Sequence, residues 1–101
     1  MASGLVVLVA RRLGVAPEAL ERDALILWLR RRLVLIEAEA ASILSRYGVR
    51  SPGELEAAIR EGRVPEHPAW EDLIVVQRLL DERRRVEEVL RELGGPARGD
   101  L

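Results

Sequence analysis

Lysine, threonine, asparagine, phenylalanine and cysteine do not occur in this chain, and glutamine occurs once, at Gln77. Without cysteine there is no disulfide and no thiolate–metal site. His67 is the only histidine, so a catalytic triad or a clustered-histidine metal site would need several copies of the chain to combine, and no cofactor is expected. An excess of one charge sign is also missing: 16 basic side chains stand against 17 acidic ones, a net charge of -1. That balance argues against a polybasic nucleic-acid binder or a membrane-surface protein. Long apolar runs are lacking as well. Leu5 to Ala10 has no basic segment before it and is closed by Arg11 and Arg12, unlike a signal peptide. Nothing approaches the roughly 20 apolar residues of a spanning helix. The expected location is the cytoplasm. Few amides and 33% charged residues fit a heat-adapted, GC-rich source, although codon bias alone would also replace lysine by arginine.

What is present is enough apolar material, 49% of 101 residues, to bury one core. Proline and glycine partition it. Pro17, Pro52 and Pro68 each open an apolar-periodic stretch, and Gly14, Gly48, Gly62 and Gly94 each close one. Proline in the first turn of a helix loses no hydrogen bond, and glycine after the last turn takes the left-handed conformation cheaply. The expected fold is all-α, an elongated helical hairpin or bundle with helices over about 4–13, 17–47, 52–61 and 68–93. Residues 1–93 are expected to form a single helical domain and 94–101 a flexible tail. Leu5 to Val9 is β-branched enough for a short strand, but no second strand is there to pair with it. Ser51 and Glu54 have the spacing of a capping box.

The second helix is the most informative. Ile26, Leu29, Leu33, Ile36, Ala40, Ile43 and Tyr47 recur in steps of three and four, a seam of coiled-coil type. Leu25, Leu27, Trp28, Val34 and Leu35 lie off it. A helix apolar around so much of its circumference needs cover from more than one side, and the last helix covers one stripe only. A homodimer through the seam is therefore expected, or a different protein partner.

Candidate chemistry is sparse. His67 precedes a proline, which favours extended dihedrals and an N-cap position, with Glu71 and Asp72 complementing the helix dipole. Arg60 and His67 have an R-x6-H spacing that resembles the motif of HEPN ribonucleases, whose imidazole and guanidinium would serve a scissile phosphate; Gly62 and Pro65 between them, and Pro68 just after, break the segment. Ala10, Gly14 and Leu20 match a helix-turn-helix turn, yet the second helix opens with Glu18, Glu21 and Asp23, which phosphates repel. Arg30-Arg31-Arg32 and Arg83-Arg84-Arg85 fan over about 200° of a helix and make no single patch. Nucleic acid is not an expected partner. Trp28 and Trp70 read as core or interface anchors.

Residues 46–74 resemble a group of short archaeal and bacterial proteins. These combine a long helix ending in Tyr-Gly, a short acidic helix closing on Glu-Gly, and a Glu-His-Pro-x-Trp-Glu-Asp segment. Tyr47-Gly48, Glu61-Gly62 and Glu66-His67-Pro68-Ala69-Trp70-Glu71-Asp72 carry the match, while Val49 and Leu73 replace an expected methionine and aromatic. The resemblance implies an antitoxin-like partner that masks a small toxin sterically. With no catalytic constellation in the residues, a non-enzymatic interaction module is the expected function. A structural dimerisation subunit and a small RNA-binding or HEPN-like protein using Arg60 and His67 are the alternatives.

Overall fold

The computed structural model describes residues 3–94; the expected flexible tail lies, but for Gly94, outside the described residues. Four helices follow in order: α1, Gly4–Leu13; α2, Pro17–Ser45; α3, Pro52–Arg60; and α4, Glu66–Glu92. The first element is thus a helix, and no strand occurs among the described residues. The fold is an all-α, elongated hairpin. Its extents are 60 × 21 × 19 Å and its radius of gyration is 18.8 Å, well above the about 13 Å of a compact 100-residue domain.

Local chemistry sets the ends. Ser3 accepts the Val6 amide at the start of α1, and Gly14 ends that helix at φ 72°. Pro17 occupies the first turn of α2. At α3 the Ser51 hydroxyl accepts the Glu54 amide at 3.1 Å. The Glu54 carboxylate reaches back to the Arg50 amide, at 2.8 Å, one residue before the donor a reciprocal capping box would use. His67 is extended (φ -113°, ψ 130°), as a residue before proline prefers, and regular helix follows Pro68. Its ring does not cap the helix; Nδ1 lies 2.8 Å from Glu71 Oε1.

Helices α2 and α4 run antiparallel. Tyr47 meets Asp72, Arg32 meets Glu82, and Arg22 meets the Leu93 carbonyl, so position falls along one helix as it rises along the other. Between them lies the core: Ile26, Leu33, Ile36, Ala40, Ile43 and Leu44 from α2 pack with Ala69, Leu73, Val76, Leu79, Val86 and Leu90 from α4. Leu55 and Ile59 bring α3 into the same cluster. Burying five or more large aliphatic side chains at about 1.5–3 kcal/mol each supplies the main drive for closing the hairpin. Helix α1 folds back on α2, with Ala10 fully buried.

Candidate interaction surface

The seam expected to receive a second copy is occupied from within the chain. Ile26, Leu33, Ile36, Ala40 and Ile43 are buried, and Leu29 and Tyr47 pack partly buried against the same core. The correction has a simple cause. α4 presents its own apolar stripe at matching spacing and is tethered to α2 by the short α3 segment, so it reaches the seam before any second molecule can. Tyr47 lies beyond the end of α2, in the turn that follows.

The side of α2 turned away from α4 remains open. Leu27, Trp28, Val34 and Leu35 are exposed there, Trp28 by 61% and Leu27 by 69%; Leu25 is exposed as well, but at the azimuth of the buried Ile43. Trp28 is therefore no core anchor, whereas Trp70 packs partly buried on the core. At about 100° per residue, Leu27, Trp28, Arg31, Val34 and Leu35 share this outer face. Ala24 before them and Ala38, Ala41, Ser42 and Ser45 after them continue it, and every one of these residues is exposed. The residues expected to lie off the seam were visible in the sequence. The alanine and serine positions continuing them were not recognised, because a small residue carries little hydropathy even when it marks a close-packing surface. On α1, Leu5, Leu8, Val9 and Leu13 are exposed as well. Exposed large apolar side chains at this density mark interaction surfaces in globular proteins.

The conspicuous residues of the 46–74 segment serve the corner where α2, α3 and α4 meet. The Tyr47 hydroxyl donates to the Asp72 carboxylate, and Arg46 Nη1 stands 3.8 Å from the same group. Burial, then the hydrogen bond to Asp72, pushes the Tyr47 phenol above its ordinary value. Gly48 and Gly62, at φ 67° and 73°, end the helices on either side, where a side chain would be strained. Val49 and Val64 pack against the core.

The other candidate groups do not converge. Arg60 pairs with Glu56 at 2.9 Å and His67 with Glu71 at 2.8 Å, each on its own helix and each at the surface. The Glu71 carboxyl is held below its usual range, first by its own backbone amide and then by His67. From the arginine triplets, Arg32 makes a bidentate pair with Glu82 at 2.5 and 2.7 Å and Arg84 pairs with Asp81 at 2.8 Å. The Arg32 bond holds the Glu82 carboxyl below its ordinary value. Ala10, Gly14 and Leu20 do form a helix–turn–helix connection, with Ala10 buried and Leu20 half-buried. Among the described residues no group of three His, Cys, Asp or Glu is placed to hold a metal ion, and no helix is long and apolar enough to cross a membrane.

A family model described as "Uncharacterized protein MJ0235 family" matches residues 1–97. The chain belongs to this family. The match spans α1 to α4. No curated protein and no solved structure matches the chain.

Proposed function

We propose that this chain is a protein–protein interaction module with no chemistry of its own, and that its working surface is the outer face of α2. The exposed stripe of Leu27, Trp28, Val34 and Leu35 carries this reading. A stable hairpin whose inner seam is already satisfied gains nothing for its own fold from a second apolar face, and leaving it in water costs about 25 cal/mol per Å² of apolar surface. The specific form inferred, on the 46–74 resemblance, is an antitoxin-like partner. It lays this face over the cleft of a small toxin and blocks it sterically, with arginines pairing toxin carboxylates. A cytosolic setting and a heat-adapted source belong to the same proposal and rest on composition.

Co-expression with the product of the adjacent gene tests the reading. A complex that is lost in Trp28→Asp and kept in Arg60→Ala, at unchanged helicity, supports it. RNA cleavage by the purified chain, abolished by His67→Ala or Arg60→Ala, would replace it with the HEPN-like ribonuclease alternative.

A further inference from the structure

The outer face of α2 already receives one helix from within the chain. Pro17 and Leu20 stand about five full turns before Leu35 and Ala38, hence at the same azimuth, and both are half-buried. The helix packed on α2 there is α1, with Ala10 fully buried. Past that contact the face runs on uncovered. From Ala24 through Trp28, Arg31 and Leu35 to Ala38, Ser42 and Ser45, exposed positions recur in alternating steps of four and three, the register of a seam that receives a helix. Leu27, Val34 and Ala41 widen the strip, which is about 32 Å long. Its small half, Ala38 to Ser45, lets another helix approach to about 8–10 Å. The Ser45 hydroxyl donates to the Ser42 carbonyl at 2.9 Å, so covering it strands no donor.

One charge interrupts the strip. Arg31 is exposed and is the only charged residue among these positions. It forms no ion pair among the described residues and lines a cleft of about 150 Å³ with Trp28, Arg32 and Leu35. Arg32 is committed to Glu82. A second copy docking by the same face would bring another Arg31 and no carboxylate from the strip, and Glu39, at its edge, already acts on Arg32. Neutralising Arg31 beneath a covering helix thus takes a carboxylate that this face does not carry.

We propose that the outer face receives a helix of a different protein, and that this helix presents a single carboxylate to Arg31 within a seam of large aliphatic side chains. The proposal rests on the interaction-module reading and states the chemistry of the partner. The aliphatic side chains fill the space over Ala38, Ser42 and Ser45. The carboxylate enters the cleft beside Trp28, where a guanidinium can meet it in bidentate fashion. An apolar residue in its place would leave Arg31 covered and unpaired, which is costly, and a basic one would repel it. Arg31 therefore selects the helix, as a single polar residue does in a coiled-coil seam.

Labelled synthetic helical peptides of about 22 residues, the length of the strip, test this on the full chain by fluorescence anisotropy. Their seams are leucine except at one central position, which is Glu, Lys or Leu. The Glu peptide is expected to bind about tenfold more tightly than the Lys peptide, with the Leu peptide between them. Arg31→Glu is expected to invert that order, and Trp28→Asp to abolish binding at unchanged helicity. Light scattering of the chain alone at tens of micromolar is expected to give the mass of one chain, 11.3 kDa. A Leu or Lys peptide that binds as tightly as the Glu peptide, or no binding by any of the three, overturns the proposal. So does a dimer of the chain alone that Trp28→Asp dissociates. A complex with the adjacent gene's product that requires Trp28 yet is indifferent to Arg31→Glu removes the carboxylate and leaves the module reading standing. RNA cleavage dependent on His67 removes the module reading itself.

Discussion

The hydroxyl of Tyr47 donates to the carboxylate of Asp72, 25 positions away, and fastens the end of α2 to the first turns of α4. The Asp72 side chain is only 17% exposed, so the bond forms where water competes poorly. Tyr47→Phe keeps the ring and removes the donor. It is expected to cost about 2 kcal/mol, the scale of a hydrogen bond to a charged group, read as a lower denaturation midpoint with an unchanged slope. An unaltered midpoint would mean that Arg46 alone satisfies Asp72.

The Arg32–Glu82 pair predicts acid sensitivity. The folded chain holds the Glu82 carboxyl below its ordinary value near 4.5, so its contribution is fully present above that value and is lost as pH falls through the folded one. Glu71 behaves in the same direction. Stability is therefore expected to decline below about pH 4.5, and Glu82→Gln is expected to flatten that decline. Tyr47 works in the opposite sense. Its raised value makes its contribution present below the ordinary phenol range and lost as pH climbs through the folded value. Thermal melts across the acid and alkaline ranges, on the wild type and on Glu82→Gln, check both limbs.

Leu33 and Val34 are neighbours with opposite surroundings, 1% and 66% exposed. Leu33→Ala is expected to cost about 2–5 kcal/mol through lost burial and a cavity. Val34→Ala is expected to leave the stability of the single chain within about 0.5 kcal/mol. Denaturant titration at nanomolar concentration, where association does not contribute, measures the contrast.

His67→Ala is expected to leave the denaturation midpoint nearly unchanged, since the ring is exposed and its partner Glu71 is too, an arrangement of small net worth. Trp70→Ala removes a ring that is packed on the core but only half-buried. It is expected to cost about 2–3 kcal/mol, below the range for a fully buried tryptophan. A larger loss in His67→Ala than in Trp70→Ala would reverse the assignment of roles in this segment.

The helices were readable in the sequence because proline and glycine act on the backbone where they stand. Pro17, Pro52 and Gly14 mark ends that the structure places within a residue or two. The pairing of faces was not readable. α2 carries two stripes at the same spacing, and only the approach of α4 decides that Ile26, Leu33 and Ile36 turn inward while Trp28 and Leu35 turn out. Local spacing measures periodicity and is blind to which stripe the tethered partner reaches first. The cap at α3 shows the same limit on a small scale. Ser51 and Glu54 were recognisable as a pair, but the choice of the Arg50 amide over that of Ser51 depends on a loop trajectory that spacing does not encode.

With apolar stripes back to back, α2 behaves as a shaft of fixed phase. Each residue turns it by about 100°, so one residue gained or lost near Ala38 would twist the segment beyond it, carrying Ile43 and Leu44 off the core and Ser42 off the outer stripe in a single stroke. Seven residues restore the phase to within about 20°. The length of this helix is thus quantised in heptads, whereas the turns around Gly14 and Gly48, which carry no phase, are free to lengthen one residue at a time.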